Sequence, residues 1–275
     1  MAEGFFIKFW GTRGSVPAPG PATRVHGGDT SCIEVRIGNR IIVLDAGTGI
    51  RRLAHQLVAQ PVESIDLLFT HCHYDHIIGL PFFLPIFAHT PPVTLWSGHL
   101  HGRMSTREIV AEFMRPPFFP VGPDVFDAQT VYRDFRPGDT LTPFEGATIE
   151  TGALNHTDGA VGYRVMSGGR ALAYITDHEV GKKSADQTVL RLVRDADLAI
   201  FDTTYTPAEY PSFAGWGHSD WGAAVEICRK AGVKRLALFH HRPRRTDEQL
   251  AQIEAEAKAA FPTAFVAFDD LEFTL

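Results

Sequence analysis

Strand-like apolar runs alternating with helical patterns along most of the chain predict a layered α/β fold, with helices covering sheets. Two further observations support that class. The 275 residues are 44% hydrophobic and 21% charged, enough apolar material for one large core. Residues able to bind metal also recur where apolar runs stop, as a site along sheet edges requires.

Phe5 to Trp10 reads as the first strand. Cys32 to Ile37 and Ile41 to Leu44 follow, joined by Gly38-Asn39-Arg40, which has hairpin turn chemistry. Gly47-Thr48-Gly49 opens a helical pattern with Ile50, Leu53, Ala54 and Leu57 on one face. Ile65 to Phe69 is a short buried strand. From about 90 to 140 the pattern weakens, broken by Pro91-Pro92, Pro116-Pro117, Pro120 and Pro123, with one helical stretch near Thr106 to Met114. Long irregular segments in compact domains are often functional, so this one is expected to be a lid or insertion. Phe118-Phe119, Trp96 and Phe113 are expected to form its core. Strands resume at Ala147 to Thr151, Ala160 to Val165, Ala171 to Ile175 and Leu198 to Phe201. Trp221 to Ala231 is helical, with Gly232 as its stop signal. Leu236 to Phe239 is a strand, Thr246 to Ala260 an amphipathic helix, and Ala264 to Phe268 the last strand. With no internal repeat or linker, a single domain over 1–275 is expected.

Composition excludes several classes. No apolar run approaches the roughly 18 residues that span a bilayer. The start, Met1 to Lys8, lacks the basic flank and long apolar region of a signal peptide. Cys32, Cys72 and Cys228 are odd in number and widely spaced, which argues against a disulfide framework and for a reducing cytoplasm. A net charge of −6 disfavours broad nucleic-acid binding.

The densest chemistry is Thr70-His71-Cys72-His73-Tyr74-Asp75-His76, directly after Ile65 to Phe69. Imidazole and carboxylate suit zinc and related divalent ions. Four such groups beside an apolar core are costly unless something coordinates or hydrogen-bonds them. Further candidates also follow strand-like runs: Asp45, Asn155-His156, Asp177 and His240-His241. Asp45 and Asp202 suit either a partner that orients a ligand imidazole or an ordinary turn. Cys72 is expected to point into the packing, and His89, His99, His101 and His178 to be surface or lid histidines. His178, directly after Asp177, keeps some chance of touching substrate.

The run His71-x-His73-x-Asp75-His76, followed by His156, Asp177 and His240, resembles the metallo-β-lactamase-fold hydrolases. Gly11-Thr12-Arg13-Gly14-Ser15, Leu44-Asp45-Ala46-Gly47-Thr48-Gly49 and Gly217-His218-Ser219 resemble the branch with ribonuclease Z and phosphoribosyl cyclic phosphate phosphodiesterases. The resemblance covers nearly the whole chain and implies a four-layer αββα sandwich with two divalent metals, zinc foremost and manganese or iron as alternatives. It implies that His71, His73 and His156 hold one metal, Asp75, His76 and His240 the other, and that Asp177 bridges them. His241 is the rival of His240. Asp75 and His218 are the implied catalytic residues, with His218 contacting phosphate and protonating a leaving oxygen. Arg13, His218 and Ser219 are the implied substrate contacts, against an ion pair for Arg13 and a turn or helix cap for Gly217 and Ser219.

The implied reaction is hydrolysis of a small cyclic nucleotide or cyclic phosphate-type diester, with metal-bridging hydroxide as nucleophile. Two metals, two ligand carboxylates and one hydroxide leave a charge of roughly +1, which suits a phosphoryl transition state. A tRNA 3′-end endonuclease is the alternative, disfavoured by the acidic chain and by the lack of a long basic, Gly-rich arm. Thioester or lactam hydrolysis, a flavin-coupled diiron protein and a non-catalytic binding module fit less well. The expected partner is a small phosphodiester; RNA is a weaker expectation, a homodimer is possible, and no membrane contact is expected.

Overall fold

Two seven-stranded sheets form from these runs, and the computed structural model describes residues 4–60, 62–89, 91–127 and 129–275. Met1 to Glu3 lie outside the described residues. The first half runs β1 (Phe5–Gly11), β2 (Cys32–Ile37), β3 (Arg40–Leu44), α1 (Ile50–Ala59), β4 (Ser64–Phe69), α2 (Tyr74–Ile77), β5 (Val93–Ser97), α3 (Thr106–Phe113) and β6 (Val131–Asp134). The second runs β7 (Thr140–Leu141), β8 (Thr148–Leu154), β9 (Ala160–Ser167), β10 (Arg170–Ile175), α4 (Lys183–Val193), β11 (Leu198–Asp202), α5 (Trp221–Lys230), β12 (Leu236–Phe239), α6 (Asp247–Ala260) and β13 (Ala264–Val266). A final strand, β14 (Glu272–Thr274), returns to the first sheet and pairs with β1.

Each sheet is antiparallel at one end and parallel at the other. In the first, β1, β2 and β3 are antiparallel neighbours, and β3, β4, β5 and β6 then run parallel. In the second, β8, β9 and β10 are antiparallel, and β10, β11, β12 and β13 run parallel. The β2–β3 hairpin closes through Gly38-Asn39, with Ile37 opposite Arg40 and Gly38 at φ +59°. That left-handed angle is one glycine adopts without strain.

Burial separates four layers. Phe9, Val35 and Leu68 of the first sheet meet Val161, Leu172 and Phe239 of the second in a fully buried central core. The outer face of the first sheet is covered by α1 and α3, and that of the second by α4, α5 and α6. Each such buried aliphatic or aromatic side chain contributes about 1.5–3 kcal/mol. Three helix starts, those of α3, α5 and α6, are capped by side chains: Ser105 with Glu108 and Thr246 with Gln249 form capping boxes, and Asp220 accepts from Gly222 and Ala223.

The segment from about 90 to 140 differs from its expectation. Val93–Ser97 lies parallel to β4 and Val131–Asp134 parallel to β5, so both are members of the first sheet. Val93, Leu95 and Ser97 are buried and alternate with partly exposed Thr94 and Trp96, a strand signal masked by the flanking prolines. Of the expected aromatic lid core, Phe113 and Phe119 pack on the outer layer, whereas Phe118 is exposed and Trp96 donates to Asp66. Helix α4, missed from the sequence, buries only Ala185, Val189, Leu192 and Val193. Among the described residues, no helix is long and apolar enough to cross a membrane.

Candidate metal centre

The carboxyl ends of β3, β4, β10, β11 and β12 converge, and each delivers a polar residue to one place. Asp45 follows β3, His71 follows β4, Asp177 follows β10, Asp202 closes β11 and His240 follows β12. Four of the residues there have left-handed backbones: Ser15 (φ 65°), Asp45 (65°), Asp177 (52°) and His240 (63°). Such angles cost about 1–3 kcal/mol for non-glycine residues and persist where surrounding structure enforces them. The chain turns sharply at these points and aims each side chain across the sheet edges.

Two groups of ligand atoms result. His73 Nδ1 lies 2.9 Å from His71 Nε2 and 3.1 Å from His156 Nε2. Asp177 Oδ2 is 3.5 Å from both His71 Nε2 and His156 Nε2. In the second group, His240 Nε2 is 3.1 Å from Asp75 Oδ2 and 3.1 Å from Asp177 Oδ1. His76 Nε2 is 3.2 Å from Asp75 Oδ2 and 3.3 Å from Asp177 Oδ1. Asp177 therefore turns one oxygen to each group, as a bridging ligand must.

These residues fit a metal pair. His73 Nδ1 faces two imidazole nitrogens at 2.9 and 3.1 Å and carries at most one proton, so it cannot make a full hydrogen bond to both. Metal–nitrogen bonds of about 2.0–2.1 Å in a tetrahedron put ligand atoms roughly 3.3 Å apart, close to that spacing. His76 Nε2 is buried without a hydrogen-bond partner, beside two carboxylates. A cation would satisfy all of these groups.

The outward ring nitrogens are held by the surrounding shell. His76 Nδ1 is 2.8 Å from Asp45 Oδ2, His156 Nδ1 is 2.8 Å from the Gly217 carbonyl, and His240 Nδ1 is 3.0 Å from Thr204 Oγ1. The Gly217 carbonyl can only accept, so His156 donates outward and keeps a lone pair facing inward, and Asp45 fixes the His76 ring through its Nδ1. Asp45 also accepts from the Thr70 N–H and the Tyr174 hydroxyl. Burial, reinforced by His76, pushes His71 well below the usual imidazole range, and burial lowers His156. Burial alone would also lower His76, but Asp75, Asp177 and Asp45 raise it well above that range. Burial likewise disfavours charge on Asp75 and Asp177, yet His76 and His240 hold both well below the usual carboxylate range. The second group thus sits in a negative field that calls for positive charge.

Two glycines let the rings in. A Cβ on Gly14 would lie 2.3 Å from the His240 ring, and one on Gly217, already at φ +85°, would lie 2.4 Å from His156 Nδ1. No other residue fits there unless the imidazole moves.

Over the ligands opens a cavity of about 430 Å³, lined by His73, Asp75, Asp177 and His240 together with Ser15, Cys72, Tyr74 and His218. His218 stacks on His240 at 4.9 Å between ring centroids, and its Nδ1 is 2.8 Å from Asp202. Burial would lower its pKa, but the Asp202 carboxylate, with Asp177 and Asp75 beyond, raises it to about 9. Asp202 is in turn fixed by the Thr204 N–H and hydroxyl. His218 and Asp202 also lie close enough to Asp177 and His240 to count as further ligand candidates.

Several sequence expectations change here. Arg13 is fully buried and does not reach the cavity; its guanidinium donates to the carbonyls of Gly27, Arg242 and Arg245. Its role is to join loops, by carbonyl contacts in place of the ion pair considered. The Ser219 hydroxyl donates to the His178 carbonyl and accepts from the Val180 N–H, so it too is turned from substrate. The cap of α5 is Asp220. His241 Nε2 lies 2.8 Å from the Ala267 carbonyl, which leaves His240 facing the centre. His178 is buried, with Nδ1 accepting from the Asn155 N–H, and does not line the cavity. Cys72 packs on the outer core, as expected, and also edges the cavity. Asp45 and Asp202 both take the imidazole-orienting role.

Residues 40–241 match the family model described as the β-lactamase superfamily domain. The chain belongs to that superfamily. Within it, the chain is 26% identical over 279 residues to a ribonuclease Z of Lactococcus lactis subsp. cremoris (strain SK11), covering 84% of this chain and 88% of that protein. Zinc-bound PqqB from Methylobacterium extorquens superposes with a TM-score of 0.74 at 19% identity, over 98% of this chain and 100% of that one. A diphosphatase of the PhnP family superposes at 0.69 and 19% identity, over 100% of this chain and 98% of that one. The fold is therefore the αββα sandwich, which that diphosphatase shares, and the protein is a metallo-β-lactamase-fold, metal-dependent hydrolase similar in sequence to ribonuclease Z.

Proposed function

We propose that the protein hydrolyses a phosphodiester, with a small cyclic nucleotide or cyclic phosphate-type diester as its substrate class. The observation that carries this reading is His218, paired with Asp202 and standing beside the bridging Asp177 at the cavity wall. With its Nδ1 held by that carboxylate, the ring can bind a phosphoryl oxygen and donate a proton to the departing oxygen. His71, His73 and His156 would hold one metal, and Asp75, His76 and His240 the other, with Asp177 shared. Bound there, two divalent ions supply an acidified water and positive charge against phosphoryl oxygens. Zinc is the favoured ion on the ligand set of five imidazoles and two carboxylates. Ser15 contributes its backbone N–H, 2.7 Å from Asp75 Oδ2, and so orients the carboxylate beside the substrate space. The cavity of about 430 Å³ suits a small ester. The free thiols of Cys32, Cys72 and Cys228 suit a reducing compartment such as the cytoplasm.

A second reading, tRNA 3′-end cleavage, has the ribonuclease Z relatives in its favour and the net charge of −6 against it. Metal-loaded protein assayed against bis-p-nitrophenyl phosphate, 2′,3′- and 3′,5′-cyclic nucleotides, a precursor tRNA and nitrocefin separates the readings. Cleavage of the small diesters is expected. Turnover of nitrocefin alone would overturn the proposal, and efficient tRNA cleavage with inert small diesters would move it to the second reading.

A further inference from the structure

Glu179 lies two residues beyond Asp177, and its carboxylate receives three neutral donors. Oε1 accepts from the Gly215 N–H at 2.6 Å and the Tyr210 hydroxyl at 2.9 Å; Oε2 accepts from the Gly217 N–H at 2.9 Å. All three donors belong to the connection between β11 and α5, whose single short helical turn is Tyr210–Ser212. That connection has little apolar anchorage near its end: Trp216 is 65% exposed, and Gly215 and Gly217 take φ of +88° and +85°. Glu179 itself is tied to the loop of another ligand. Its N–H donates to the Asn155 carbonyl at 2.9 Å, and the Asn155 side chain donates to its own carbonyl at 2.8 Å. One residue thus clamps three loops, those of Asp177, His156 and His218. The clamp ends where it matters: the Gly217 carbonyl receives His156 Nδ1, and His218 is the next residue.

We propose that Glu179 is a positioning residue that sets the placement of His218 for leaving-group protonation, acting through the Gly215–Gly217 backbone. The inference rests on the reading of the site as a phosphodiesterase with His218 as acid. A carboxylate is needed because the donors approach from both oxygens. A glutamine at 179 can keep Gly215 and Tyr210 on its oxygen, but its NH₂ then faces the Gly217 N–H, so the hold next to His218 fails.

The test uses metal-loaded full-length protein and two diesters with the same retained group, methyl p-nitrophenyl phosphate and methyl phenyl phosphate. Only the phenyl ester needs its leaving oxygen protonated. Glu179→Ala is expected to lower kcat/KM for the phenyl ester about 30-fold or more, but that of the p-nitrophenyl ester about 3-fold or less. His218→Ala should show the same selectivity, and the double variant should lose little beyond the His218 single variant. Equal losses on both esters, or full additivity in the double variant, would overturn the proposal. Glu179→Gln, whose metal content and Tm should stay near wild type, provides a readout independent of turnover. Hydrogen exchange at the Gly215 and Gly217 amides should be slow in wild type and about 10-fold faster at Gly217 in Glu179→Gln. Unchanged exchange would overturn the clamp whatever the kinetics. If wild type cleaves neither ester, the phosphodiesterase reading fails and the catalytic purpose of Glu179 falls with it, while faster exchange still establishes the clamp.

Discussion

The two halves of the molecule share an architecture and supply the same site in different ways. Both carry antiparallel strands followed by parallel ones. The first half concentrates His71, His73, Asp75 and His76 in six consecutive residues around the single turn of α2. The second spreads His156, Asp177 and His240 over the ends of three strands, β8, β10 and β12. The cluster leans chiefly on one buried carboxylate, Asp45, whereas each ligand of the second half has its own local support: Gly217 for His156, Thr176 for Asp177 and Thr204 for His240. Local concentration makes a ligand set easy to build from one turn, and dispersion lets a single residue face both metal positions.

Asp177 is the point where that contrast is sharpest, because its two oxygens serve the two groups separately. Asp177→Ala should reduce phosphodiester turnover by at least ~10³-fold and lower bound metal to one ion per chain or fewer. Metal analysis alongside kinetics checks it. Two tightly bound ions in the variant would show that the cluster of the first half does not depend on the second.

Legibility followed the same division. The His71–His76 run could be read directly, since ligands within one turn are neighbours whatever the fold does. His156, Asp177 and His240 were readable only through their order after that run and their position at strand ends. Asp45 and Asp202 stayed undecided because their partners, His76 and His218, are 31 and 16 residues away. Arg13 and Ser219 were misplaced for a related reason. A polar residue in a glycine-rich loop looks the same whether it faces a cavity or, as here, neighbouring carbonyls. Glu179 gave no signal at all, because its three donors are backbone and hydroxyl groups of a loop distant in sequence, the first of them, Tyr210, 31 residues later. The strands β5 and β6 were hidden by prolines at the segment boundaries.

Asp45→Asn probes the first half alone. Its one amide oxygen can keep either the Thr70 N–H or the Tyr174 hydroxyl, which bond different oxygens of Asp45, and the charge against His76 is gone. The expected outcome is a metal affinity about 10–100-fold weaker, with the loss confined to one of two ions. Equal weakening of both ions in a titration would show that Asp45 supports the whole centre.

Gly217→Ala probes the second half. The added methyl meets His156 Nδ1 at 2.4 Å, and the left-handed φ adds strain of roughly 1 kcal/mol. His156 should be displaced, with turnover reduced about 10–100-fold and Tm lowered by a few degrees. Wild-type kinetics in this variant would mean that the loop moves freely, contrary to the tight support assigned to dispersed ligands.

The smallest effect is expected where the halves are joined. Asp269, beyond β13, accepts from the Asp29 N–H at 3.2 Å and the Thr12 hydroxyl at 3.3 Å, both in the first half. Burial, with the Asp29 carboxylate nearby, raises it to about 7. An acid whose pKa is higher folded than unfolded binds more protons in the native state between the two values. Its contribution to stability therefore falls as pH rises from about 4 to about 7 and is constant above. Denaturant unfolding of wild type and Asp269→Asn at pH 5 and pH 8 isolates this group, because other titrations cancel in the difference. Wild type should lose about 1–3 kcal/mol relative to Asp269→Asn between those pH values. A difference that does not change with pH would show Asp269 ionised throughout. The junction between the halves would then hold a half-buried pair of negative charges that Arg52, 3.6 Å from Asp29, must balance.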